Sequence, residues 1–293
     1  MFSVHFERFV APARPKAQIW RTIVGLVAIA AIYFVFVIAI FGLIWLFQQN
    51  ESLTTAMEMA GAETPTGTVI LLATFIGLGL GPILIVRLLH GRPAGTLFGR
   101  RTVVIRDFAK SAGVVFVIYT VLTLIWLLEF DAEPNLDLSI WLTFLPMALA
   151  GIVIQTGAEE LVFRGYLQQQ LAARFASPVV WLILPSLAFG AVHYDPTTAG
   201  ANVWLVMAAA AAFGLVAADL TRVTGSLGAA WGFHFANNVI AILFISVKGS
   251  LPGLALYLTP YSIDDVTQLP WLVGADLATM VLAWWILRQI LRR

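Results

Sequence analysis

The run Thr156-Gly157-Ala158-Glu159-Glu160-Leu161-Val162-Phe163-Arg164-Gly165-Tyr166 places two adjacent carboxylates and an arginine inside a strongly apolar stretch. Ionised groups near hydrocarbon cost roughly 2.5–3.5 kcal/mol each on insertion scales, so their presence calls for a function. Glu160 and Arg164 are four apart and pair on one helical face. Glu159 lies about 100° around the helix from Glu160 and is left without an evident local partner. A spare carboxylate beside an internally neutralised pair is equipped to act as a general base on water, its proton affinity raised by burial.

Two histidines lie in apolar segments that can join it. His193 closes Phe189-Gly190-Ala191-Val192-His193, and His234 opens His234-Phe235-Ala236-Asn237-Asn238, where His234 and Asn238 share a face. Each is expected within an apolar helix. One histidine can position the water or shuttle its proton, while the second, with the Asn238 amide, can donate to the oxyanion at an attacked carbonyl. Such a set hydrolyses an amide without a covalent nucleophile. The same side chains leave a second chemistry open, with Glu159, His193 and His234 as zinc ligands and the neighbouring carboxylate as base. No His-Glu-x-x-His pattern accompanies them, so no metal is the favoured reading and zinc is the alternative. For either histidine alone, a hydrogen bond between neighbouring helices is the plainer reading. His5 and His90 lie in basic segments and are expected to be solvated.

The elements that must carry these groups are membrane helices. The 293 residues are 60% hydrophobic and 11% charged, with mean hydropathy +0.90. An all-α polytopic membrane protein with a polar site in the bundle core is predicted, with eight spans near 19–47, 67–90, 109–129, 138–172, 178–196, 200–221, 225–247 and 270–290. Residues 1–18 read as a cytoplasmic tail and 19–293 as one transmembrane domain, with the motifs in 138–248. The first apolar run is too long for the core of a cleavable signal. The absence of cysteine excludes disulfides, thiolate nucleophiles and Cys-ligated zinc, and no basic-aromatic pattern points to nucleic acid.

Basic residues alternate with acidic ones from loop to loop. Arg8, Arg14, Lys16 and Arg21, then Arg87, Arg92, Arg100, Arg101, Arg106 and Lys110, then Arg174, Arg222, Arg288, Arg292 and Arg293 fall on one side. Glu51, Glu58, Glu63, Glu129, Asp131, Glu133, Asp137, Asp264 and Asp265 fall on the other, with Lys248 the exception. Both termini are therefore expected in the cytoplasm. Gly77, Gly79, Gly81 and Pro82 read as a kinked, closely packed helix, and Ala208–Ala212 with Gly214 as a small-residue packing surface. Asp219 and Arg222 read as an interfacial pair. Asp276 is expected at the rim, a weak candidate for a proton path. Ala176 is 17 residues from both Glu159 and His193. A hairpin there brings both to a common depth, on the order of 25 Å from the turn. Asn238, 13 residues beyond Gly225, reaches on the order of 20 Å.

Glu159-Glu160-x-x-x-Arg164, Phe189-x-x-x-His193 and His234-x-x-x-Asn238, in that order on separate helices, resemble the CPBP intramembrane proteases (CAAX proteases and bacteriocin-processing enzymes, also called the Abi family). The resemblance implies peptide-bond hydrolysis within the membrane. It implies water activation by Glu159 and His193, and oxyanion stabilisation by His234 and Asn238, with Glu160 and Arg164 in support. It also implies a membrane-embedded or lipidated substrate and a multi-pass protein of a prokaryotic plasma membrane. Some members of that family are immunity or scaffold proteins, which stands as the alternative; a proton-coupled transporter is a third. Against transport, one Gly-Pro break is found where related halves would show two.

Overall fold

The computed structural model describes residues 2–47 and 62–292. Glu51, Glu58 and Arg293 lie outside the described residues. The helices are α1 (Val4–Val10), α2 (Ile19–Phe47), α3 (Pro65–Leu88), α4 (Arg101–Trp126), α5 (Leu138–Arg174), α6 (Val179–Ala191), α7 (Val203–Thr224), α8 (Gly228–Phe244) and α9 (Leu269–Leu291). The protein is an all-α polytopic membrane protein. Among the described residues, α2, α3, α4, α5, α7 extended to Pro196, and α9 are long and apolar enough to cross a bilayer. The predicted fifth and seventh spans are shorter apolar helices, α6 and α8. Both are held within the bundle: α6 packs on α7, and α8 packs on α4, α5 and α7.

Local sequence sets the helix ends. Thr64 caps α3 by accepting from the Gly67 amide at 3.1 Å, with Pro65 pre-set for the first turn. Gly225 stops α7 with φ +66°, a left-handed geometry that glycine adopts freely. α4 starts at Arg101, well before the predicted 109, because its first three turns carry Arg101, Arg106, Asp107 and Lys110 at the polar end of the bundle. Outward faces stay apolar: Val24, Val27, Val35 and Ile38 of α2 are exposed, the surface that acyl chains cover.

Residues 4–16 are folded rather than a loose tail. α1 buries Phe6, Phe9 and Val10 against the core, with Phe6 on Trp181 of α6, each burial contributing roughly 1.5–3 kcal/mol. All the described basic segments gather at this end. Arg21 donates to the Leu89 carbonyl at 2.7 Å, Gln169 to the Phe9 carbonyl at 2.6 Å, and Arg222 pairs with Asp219 at 2.6 Å. His90 is not solvated there, contrary to expectation: it is 5% exposed, bonded to the Lys16 carbonyl at 3.1 Å and the Tyr166 hydroxyl at 2.9 Å. Burial, reinforced by Arg92, Arg21 and Lys16 and only partly offset by the Lys16 carbonyl, lowers its pKa from 6.5 to about 4.

The opposite end holds a small sheet that hydrophobic periodicity does not reveal. Its order is β1-β3-β2, where β1 is Glu133–Pro134, β2 Ile245–Lys248 and β3 Tyr257–Ser262; β1 is antiparallel and β2 parallel to β3. Lys248, the basic exception on the acidic side, pairs there with Glu133 at 2.7 Å.

Candidate active site

α5 continues from its α-helical part into a π-helical segment at Leu161–Gln168, immediately after Glu160. Widened turns of this kind occur often at functional sites. Arg164 sits in it, 1% exposed, with Glu160 at 0%. The Arg164 guanidinium donates to Glu160 Oε1 at 3.0 Å and to the Gly214 carbonyl at 3.3 Å, and lies 4.7 Å from the Phe189 ring centre. A desolvated guanidinium over an aromatic face gains about 2 kcal/mol. The ion pair, the carbonyl and the ring together make its burial tolerable. Gly214 is needed in this approach, since a Cβ there would meet Ser186 Cα of α6 at 2.9 Å.

Glu160 Oε1 also accepts from His234 Nδ1 at 3.0 Å. A carboxylate already holding an arginine only accepts, so Nδ1 carries the ring proton in this contact. The other nitrogen, Nε2, therefore faces Glu159 Oε2, at 3.5 Å. His234 is 5% exposed and Glu159 9%. Glu159 Oε2 is buried and has no hydrogen-bond partner among the described residues. The sequence places Glu159 without a partner on its own helix; the structure adds that an imidazole from α8 stands beside it.

His193 does not sit within a helix. α6 ends at Ala191, and His193 lies in the turn that follows, three residues before Pro196, where the chain leaves α6 for a short helix at Pro196–Ala199 capped by Asp195. Its Nδ1 is 2.7 Å from the Phe189 carbonyl. A carbonyl can only accept, so in the neutral ring Nδ1–H is committed and Nε2 keeps its lone pair for another group. Asn238 is oriented by two amides: it donates through Nδ2 to Gln155 Oε1 at 2.8 Å and accepts at Oδ1 from Asn237 at 3.3 Å. One Nδ2–H remains.

Glu159, His193, His234 and Asn238 all line one cavity of about 520 Å³, together with Gln155 and Asn237. Glu160 and Arg164 stand behind it. Apolar side chains from Tyr33, Leu71, Phe75 and Phe213 complete the walls. Two of these cavity residues were not singled out from sequence, Gln155 and Asn237, which lack a partner until α5 and α8 are set side by side; Asp276, expected at the rim, is exposed and also lines this cavity. Asp219 holds Arg222 as expected and also takes Trp284 Nε1 at 2.9 Å.

Catalytic zinc takes three protein ligands at about 2.0–2.2 Å from a common point. Among the described residues, no three His, Asp or Glu side chains are grouped to hold a metal ion. Glu159, His193 and His234 share the cavity without forming such a triad.

Residues 139–240 match the family model described as type II CAAX prenyl endopeptidase Rce1-like. The segment begins with α5 and ends two residues after Asn238, so it holds every group of the site. A curated relative, "Uncharacterized protein YyaK" of Bacillus subtilis (strain 168), is 27% identical over 257 residues, covering 84% of this chain and 84% of the relative. No solved structure matches the chain.

Proposed function

We propose, from the premise that this chain carries an Rce1-like domain of the CAAX prenyl endopeptidase family, that it is an intramembrane endopeptidase using water activated by Glu159 and His193. The observation that supports this reading is the shared cavity, in which a buried carboxylate oxygen without a partner meets two histidines of defined tautomer and an oriented amide.

In this mechanism Glu159 takes a proton from water, which His193 Nε2 holds in line. The water oxygen bonds to the carbonyl carbon of the scissile peptide. The oxyanion accepts from the free Asn238 Nδ2–H, and from His234 Nε2 when the ring carries both protons. The proton on Glu159 then passes to the leaving nitrogen as the C–N bond breaks, giving a carboxylic acid and an amine, and the acid proton passes on to the amine to leave a carboxylate and an ammonium. Glu160 and Arg164 fix the His234 ring without touching substrate. We assign no metal to the reaction, since the donors do not gather as a ligand triad. The apolar cavity walls favour a membrane-embedded or lipidated peptide. The gathering of basic segments at one end favours that end, with both termini, as cytoplasmic.

The test is cleavage of membrane-spanning and lipidated peptides by the protein in nanodiscs, with products identified by mass spectrometry. The wild type should yield defined fragments. Glu159→Gln should lose on the order of a hundredfold to ten-thousandfold in rate while folding normally. Equal rates for the two proteins would refute the assignment.

A further inference from the structure

Asp276 is an ionisable side chain in the membrane body that this mechanism leaves unused. It is the eighth residue of α9 and the sole charged side chain of that helix before Arg288. Leu269, Met280, Ala283 and Leu287 of α9 are buried. Their spacings from Asp276 are seven, four, seven and eleven residues, so Asp276 lies on the same helical face, with its own side chain exposed. That face, not the lipid, is where a carboxylate in a spanning helix belongs.

The side chain opens into two cavities at once. One is the cavity of Glu159 and His193; the other, of about 370 Å³, lies between α4, α8 and α9. Tyr119, Asn237 and Asp276 line both, forming a polar partition between them. Tyr119 of α4 and Asn237 of α8 thus stand on the same cavity walls as Asp276. Among the described residues, neither cavity is lined by a lysine or arginine, and their carboxylates are Glu159 and Asp276. Asp276 is itself exposed, so its carboxylate is free to meet a cation that a ligand brings into these cavities, and a charge-assisted hydrogen bond is roughly twice as strong as a neutral one.

We propose that Asp276, with Tyr119 and Asn237, is a subsite for a cationic group of the ligand, an ammonium or guanidinium entering beside the catalytic cavity. The apolar lining admits an alkyl stem such as that of lysine or arginine while the head meets the carboxylate. The subsite rests on the endopeptidase reading only in naming the ligand a substrate. In that reading it selects peptides with a basic residue near the scissile bond.

Binding can be read without cleavage. Octylammonium, with octanol and octyl sulfate as controls, is titrated onto the purified protein in phosphatidylcholine nanodiscs, and binding is followed by melting temperature and tryptophan fluorescence. The wild type should saturate with octylammonium and with neither control. Asp276→Asn should weaken that binding on the order of tenfold to a hundredfold, the range of one charge-assisted hydrogen bond. Asp276→Glu should retain most of it, and Glu159→Gln should keep it intact. No saturable octylammonium binding in the wild type would overturn the subsite. So would equal binding by a folded Asp276→Asn variant, or loss in Glu159→Gln alone. A protein that binds octylammonium through Asp276 but cleaves no peptide would keep the subsite and remove the peptidase reading.

Discussion

Replacing Arg164 with methionine tests what holds the site together. Glu160 is fully buried, and its Oε1 is shared by Arg164 and His234, both at 3.0 Å. Removing the guanidinium leaves Glu160 with one imidazole and forfeits the contact with the Gly214 carbonyl and the Phe189 ring. Breaking a buried ion pair from one side costs about 3–5 kcal/mol, which lowers the melting temperature by on the order of 10 °C. Converting both partners, Glu160→Gln with Arg164→Met, removes the stranded charge, and the amide oxygen still accepts from His234. The double variant should recover at least half of the loss, a coupling visible in a double-mutant cycle. Melting is followed in detergent by tryptophan fluorescence, for which the chain supplies 10 tryptophans. An Arg164→Met protein melting within about 2 °C of wild type would refute the account of Arg164 as the neutraliser of Glu160. A double variant no better than the single would refute it too.

Further outcomes follow from other contacts. His90 is held neutral in the folded state down to about pH 4, whereas the unfolded imidazole takes a proton below 6.5. Its contribution is therefore present above pH 6.5 and is lost as pH falls from 6.5 towards 4, by up to about 3 kcal/mol. His90→Gln should flatten the fall in melting temperature across that window relative to wild type, and parallel curves would contradict the assignment. Asn238→Ala should lower kcat by on the order of a hundredfold with KM little changed, as loss of one oxyanion donor does. Gln155→Ala should have a smaller effect of the same kind, because it only orients that amide. An increase in KM alone for Asn238→Ala would move the amide to substrate binding. A chelator titration with zinc add-back should leave cleavage unchanged; activity that falls on stripping and returns with one equivalent of zinc would reverse the metal assignment and make Glu160 the candidate base.

Much of this was legible in the sequence because the groups obey short-range rules. Glu160 and Arg164 pair at i,i+4, His234 and Asn238 share a helical face, and the 17-residue arms around Ala176 bring Glu159 and His193 to one cavity. Asp219 and Arg222 likewise follow from spacing. What remained hidden depends on tertiary neighbours. His90 reads as solvated until the Lys16 carbonyl and Tyr166 are folded onto it, from 74 and 76 residues away. The Gln155–Asn238 bond spans 83 residues. The sheet escaped notice because β1 has two residues and β2 and β3 pair in parallel across a loop, with no alternating pattern of useful length. His193 lies beyond its helix because Asp195 and Pro196 start a new one, a signal that the apolar run before it conceals.

The central claim is that the Glu159 carboxylate activates water, and the most direct measurement is single-turnover cleavage of one peptide by wild type and Glu159→Gln in the same nanodiscs, in water containing 18O. The account predicts one 18O atom in the new carboxylate of the wild-type product, and a rate for Glu159→Gln lower on the order of a hundredfold or more at unchanged melting temperature. An unimpaired rate in the glutamine variant would contradict it.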